Sequence, residues 1–73
     1  MSRIAVIGVG YVGLSTAACF ADLGHNVVGY DIDEPRILKL RKHKIPIYEP
    51  GLEEVIERNA RAERLSFTTS LEQ

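Results

Sequence analysis

The chain has 73 residues, 45% of them hydrophobic, and its nine Lys and Arg against ten Asp and Glu give a formal net charge of −1. That balance excludes a disordered chain and a nucleic-acid binder acting through bulk charge, and leaves one compact unit. So small a core usually needs a disulfide, a metal or more protein to hold it, and Cys19, the only cysteine, cannot form an internal disulfide.

A lone cysteine fits a reducing, cytoplasmic setting. The apolar start carries no cleavage pattern, so no secretory signal is read. No run approaches the ~20 apolar residues of a membrane span, so no membrane partner is expected.

In chain order, Arg3 to Ile7, "RIAVI", is an unbroken β-branched run that predicts a strand buried on both faces of a parallel sheet. Glycines follow, and then Val12 to Leu23, rich in Ala17, Ala18 and Ala21, predicts a helix with a thin face that hugs the sheet. Gly24 supplies the left-handed residue that ends a helix, and Val27 to Tyr30 predicts a second strand running into "DID". Asp33 is the expected N-cap of a second helix, short and cationic, with Pro35 in its first turn. Lys44 to Pro50, "KIPIYEP", contains two prolines and is expected to be a shaped loop. Gly51 to Arg61 resumes helical spacing with Leu52, Val55 and Ile56 on one face, and Leu65 to Thr68 predicts a third strand. "TSLEQ" then resembles the first turn of a further helix, capped by Thr69 or Ser70.

The turn Gly8-Val9-Gly10-Tyr11-Val12-Gly13 fits G-x-G-x-x-G, a weak signal by itself. Here it follows a predicted strand, opens a predicted helix and is followed by Asp31 at the end of the next strand, which are the contexts of a dinucleotide-binding fingerprint. Gly8 permits the tight turn, Gly10 lets a pyrophosphate approach the main chain, and Gly13 lets the helix sit close to the sheet. The amides near Tyr11 and Val12, at a helix N-terminus, favour an anion. Asp31 is placed to accept hydrogen bonds from ribose hydroxyls, which favours NAD over NADP because a carboxylate repels a 2′-phosphate. Arg36 keeps that choice open: it could attract a phosphate, lie along the adenine edge, or be a solvated helix charge. The competing view, that the glycines only make a tight turn and Asp31 is a solvated carboxylate, is weakened by the two occurring together.

These elements predict a partial Rossmann-type α/β sheet, doubly wound, with three parallel strands, crossover helices and one unpaired edge. Residues 1–73 are expected to be the N-terminal part of that domain, with the remaining domains outside the chain. Cys19 lies mid-helix among small apolar residues and is expected to be a buried packing thiol rather than a nucleophile. His25 and His43 lack cysteine or acidic partners at ligand spacing, so no metal site is expected. The basic run Arg36, Lys39, Arg41, Lys42 and Lys44 lacks interleaved aromatics and predicts a wet helix face rather than a nucleic-acid site.

"IAVIGVGYVGLSTAACFADLGHNVVGYDID", "IPIYEPGLEEVI" and "RLSFTTSLE" together resemble the N-terminal end of the UDP-glucose 6-dehydrogenases and related nucleotide-sugar 6-dehydrogenases. The resemblance runs over nearly the whole chain, and its distinctive pieces are the "YVG" ending of the turn and the "PIYEPGL" loop. It implies oxidation of a UDP-sugar C6 alcohol to a carboxylate with two NAD reduced in turn, through a downstream cysteine that is not Cys19. The family's catalytic residues fall beyond residue 73, so no catalytic residue is assigned here. The resemblance carries over cofactor binding by Gly8, Val9, Gly10, Tyr11, Val12, Gly13, Asp31 and Arg36, and Pro35 departs from the polar residue or lysine of many relatives. Tyr48 and Glu49 are expected to be structural rather than part of the cofactor site. A nucleotide sugar is the implied partner, and the full-length protein is expected to be a homo-oligomer. Two other readings remain: a dehydrogenase of GDP-mannose or UDP-N-acetylmannosamine, and a non-catalytic nucleotide-sensing module.

Overall fold

The structure, a computed structural model, describes residues 2–42 and 51–70. Its elements are β1 (Arg3–Ile7), α1 (Tyr11–Asp22), β2 (Asn26–Tyr30), α2 (Glu34–Arg41), α3 (Leu52–Arg61) and β3 (Leu65–Thr68). The strands are parallel and stand in the order β1-β2-β3, as expected of half a doubly wound sheet. The predicted boundaries shift by one residue at α1, β2 and α3. The loop at 44–50 and the further helix start at 71–73 lie outside the described residues.

Register decides which side chains share a face. Val6, Gly29 and Phe67 stand abreast, as do Ala5, Val28 and Ser66. The first row looks into a core that receives Leu14, Ala17, Ala18 and Ala21 from α1, Ile37 and Leu40 from α2, and Ile56 from α3. Small residues at 17, 18 and 21 let α1 approach the strands closely, and Gly29 leaves the space that Val9 and Phe67 fill: a Cβ there would come within 2.8 Å of Val9 Cγ1.

Two expectations are corrected. β1 is half-buried, not buried on both faces: Arg3, Ala5 and Ile7 are exposed while Ile4 and Val6 are partly covered. The reason is that the helices share a single core on one side of the sheet, so the row with Ala5, Val28 and Ser66 lines an open groove of about 570 Å³ on the other. Cys19 is exposed. It lies about 140° around the helix from Leu14 at 3.6 residues per turn, away from the stripe formed by Leu14, Ala17, Ala18 and Ala21.

Both long helices end in the same way. After α1, Gly24 adopts φ +104°, its N–H donates to the Ala21 carbonyl and the His25 N–H to that of Phe20, the paired bonds of a Schellman cap. After α3, Glu63 takes the left-handed place at φ 61°. Its N–H donates to Ala60 and the Arg64 N–H to Asn59.

That second cap feeds a polar clamp. The fully buried Asn59 donates from Nδ2 to the Asp22 carboxylate at 3.0 Å and to the Val55 carbonyl at 2.9 Å, and its Oδ1 accepts from Arg64 Nε at 3.0 Å. Arg64 Nε also reaches the Ala21 carbonyl, and Arg58 donates to Asp22 at 2.8 Å. The end of α1 is thereby tied to α3 and to the entry of β3. Arg58 foremost, then Asn59, holds the Asp22 carboxyl below its ordinary range.

Candidate functional site

The chain leaves β1 through Gly8, whose φ of +87° is open to glycine at little cost. Its N–H donates to the Tyr30 carbonyl at 2.7 Å, so the turn is anchored to the end of β2. Gly13 then packs directly beneath: a Cβ at residue 13 would lie 1.8 Å from the Gly8 carbonyl oxygen. Gly10 differs from both. Its φ is −71°, and a Cβ there would meet nothing within 4 Å, so its outer side faces open space above the turn.

Gly10 is also the N-cap of α1, with no side-chain cap and no acidic residue in the first turn. The first backbone bond into the helix runs from the Leu14 N–H to the Gly10 carbonyl. The Tyr11, Val12 and Gly13 N–H groups therefore lack acceptors within the helix. Together with the helix dipole they make the open side of Gly10 a place for an anion.

Asp31 closes the site from the other strand. Its Oδ2 accepts from the Val9 N–H at 3.1 Å, and its Oδ1 from the Asp33 N–H at 2.9 Å. Its own N–H donates to the Thr68 carbonyl of β3 at 3.2 Å. The Arg36 guanidinium donates to Asp31 Oδ2 at 3.1 Å, and its other terminal nitrogen lies 4.0 Å from Asp33. The Asp33 N–H foremost, with the Val9 N–H and Arg36 behind it, holds the Asp31 carboxyl below its ordinary range against the opposing pull of burial. A carboxylate offers about four lone-pair sites, so one remains for a hydroxyl donor.

The predicted site residues thus converge at the C-terminal ends of β1 and β2, where open α/β sheets bind ligands. Val9 is buried and Val12 is 73% exposed; Tyr11 opens α1; Arg36 sits in the first turn of α2, whose N-cap Asp33 accepts from the Arg36 N–H. Sequence reasoning missed three backbone partners: the Tyr30 and Thr68 carbonyls and the Asp33 N–H. The last had a signal, since an aspartate bonding the N–H two residues on is an Asx-turn, and "DID" allows one. Away from the site, His25 Nδ1 accepts from the Ser2 N–H and its ring meets Phe20 edge-on. Arg41 is exposed, as expected of a wet helix face, and also donates from Nε to the Phe67 carbonyl at 2.9 Å. Among the described residues no helix is long and apolar enough to cross a membrane.

Comparison with known proteins gives the family and the fold. Residues 2–73 match the model of the UDP-glucose/GDP-mannose dehydrogenase family, NAD binding domain. The UDP-glucose 6-dehydrogenase TuaD of Bacillus subtilis is 52% identical over 71 residues, which cover 97% of this chain and 15% of that protein. Among solved structures, a UDP-glucose dehydrogenase from Pyrobaculum islandicum superposes with a TM-score of 0.90 at 48% identity, over 96% of this chain and 16% of that one. A UDP-D-ManNAc dehydrogenase from Pyrococcus horikoshii superposes at 0.92 with 40% identity, over 96% and 17%. The chain therefore spans about one sixth of the length of these relatives.

Proposed function

Since the chain belongs to the UDP-glucose/GDP-mannose dehydrogenase family and matches its NAD-binding domain, we propose that it is the cofactor cradle of a UDP-glucose 6-dehydrogenase, which oxidises UDP-glucose to UDP-glucuronate with two NAD. The observation that carries the cradle is the Asp31 carboxylate bonded to the Val9 N–H, which brings a hydroxyl acceptor to the rim of an open, uncapped helix N-terminus. In this reading the backbone of Gly8, Val9, Gly10, Tyr11, Val12 and Gly13 receives the pyrophosphate, Asp31 takes a ribose hydroxyl, and Arg36 borders the adenosine end.

When bound, NAD supplies the hydride acceptor; these residues bind and orient it and hold no catalytic group. The nucleotide sugar is then held by residues outside this chain, in a homo-oligomer of the cytoplasm. Backbone geometry does not choose the sugar, because the mannosamine enzyme superposes as well as the glucose enzyme. Identity favours glucose, at 48 to 52% against 40%. Membership of a dehydrogenase family argues against the sensing module.

Titration of the full-length protein with NAD, followed by NADH absorbance with UDP-glucose, GDP-mannose and UDP-N-acetylmannosamine in turn, tests both parts. UDP-glucose is expected to be the substrate, with two NADH per sugar. Turnover of another sugar alone would reassign the substrate, and failure to bind NAD would overturn the cradle.

A further inference from the structure

The structure assigns Arg41 a guarding role at the outer edge of β3, where its side chain occupies a backbone acceptor that a strand from a second copy of the protein would otherwise use. This role is separate from cofactor binding.

In a parallel pair a residue turns its N–H and C=O to the same side, and successive residues alternate. The Val27 N–H donates to the Arg64 carbonyl and the Asp31 N–H to that of Thr68, so residues 64, 66 and 68 serve β2. The backbone groups of Leu65 and Phe67 therefore point out of the sheet. β3 is last in the order β1-β2-β3, and in the complete doubly wound order the third strand still stands at the end, while the first is flanked on both sides. The outer edge of β3 is thus a template for strand addition in the whole protein, and such edges need a block.

Arg41 stands in the last turn of α2 and donates from Nε to the outward carbonyl of Phe67 at 2.9 Å. Beside this bond lies a cleft of about 200 Å³, lined by Leu40 and Arg41 of α2, Ala60 of α3, and Leu65, Ser66 and Phe67 of β3. A strand joining an edge needs free main-chain groups and recesses for alternate side chains. The cleft supplies a recess, but Arg41 already holds the carbonyl and brings a charge that the newcomer must bury or displace. β1 differs: among the described residues no side chain bonds the outward backbone groups of Arg3, Ala5 and Ile7. The guard stands at the edge where the doubly wound sheet ends.

Arg41→Met keeps the aliphatic stem but removes donor and charge, whereas Arg41→Lys keeps a cation at the edge. Sedimentation velocity of the full-length protein across a range of concentrations, and fluorescence anisotropy with a labelled peptide of residues 64–70, "RLSFTTS", read the edge. Wild type and R41K are expected to sediment as the native assembly alone and to leave the peptide free. R41M should form larger species as concentration rises and bind the peptide at least roughly tenfold more tightly than wild type, as the loss of one charged hydrogen bond allows. Adding Thr69→Pro, which removes the next outward N–H in the alternation, should reverse both effects. Arg41→Ala is the second variant, held to the same outcomes where R41M does not fold by circular dichroism. Peptide binding by wild type, variants that behave as wild type, or association that persists with T69P would each overturn the guarding role.

Discussion

The carbonyl oxygen of Gly8 stands where a side chain on Gly13 would begin, 1.8 Å from the Cβ position. Backbone meets backbone there, so no rotamer change can relieve the clash. Gly13→Ala should therefore lower stability by about 3 kcal/mol or more, as overpacking at a rigid site does, a fall in Tm on the order of 12 °C or more for a chain of this size. Gly10→Ala should cost only about 1 kcal/mol, the usual loss of a good N-cap, yet abolish NAD binding. Thermal melts and NAD titration of the two variants separate the roles; equal destabilisation would mean that both glycines serve only the turn.

Asp31 should carry an acid-dependent share of stability. Its carboxyl ionises below the ordinary 3.8 because the Asp33 N–H, the Val9 N–H and Arg36 all favour the charged form. The sign follows from linkage: a depressed folded-state pKa gives stability that is fully present above the unfolded value and is lost as pH falls through the folded one. The stability difference between wild type and Asp31→Asn should be constant above about pH 5 and shrink below about pH 4. Denaturant titrations across that range measure it, and a difference independent of pH would show that the carboxylate is not held by these donors.

How much of this was legible depended on whether the physics was local. The turn, its helix and Asp31 could be read because glycine chemistry, β-branched runs and an acid at a strand end are each written in single residues. Gly24 announced its Schellman cap in the same way, whereas the identical cap at Glu63 was silent, because nothing in "NARAERL" marks a left-handed residue. Cys19 was misjudged by composition where angle decides: its neighbours are small and apolar, but their stripe faces elsewhere. The open face of β1 was equally hidden, since a β-branched run does not say on which side the helices will gather. Asn59 looked like an ordinary helix residue, and its burial follows from partners on α1 and next to β3 that no window of sequence brings together.

Asn59→Leu should expose how much that clamp contributes. The substitution keeps the branched shape and heavy-atom count but removes the donor to Asp22 and Val55 and the acceptor for Arg64. Asp22 keeps Arg58 and Arg64 Nε keeps the Ala21 carbonyl, so the cost is that of the lost hydrogen bonds, about 0.5 to 1.5 kcal/mol each, and a loss of about 2 kcal/mol is expected by denaturant unfolding. The glycine turn lies at the other end of α1, so NAD affinity of the folded variant should be unchanged. A loss below about 0.5 kcal/mol, the range of ordinary surface changes, would mean that the network is incidental.

Glu63→Gly should stabilise the chain. Glu63 holds the left-handed position of the α3 cap at φ 61°, where a Cβ costs roughly 1 to 2 kcal/mol; glycine removes that strain but adds freedom to the unfolded chain. The balance should favour the folded state by about 0.5 to 1 kcal/mol, raising Tm by several degrees. Glu63→Ala keeps the Cβ and should give no such gain. If both variants melt together, the side chain rather than the backbone sets the cost at this position; if glycine alone gains, the αL strain is real and the cap into Arg64 and the Asn59 clamp is tightened without touching the site.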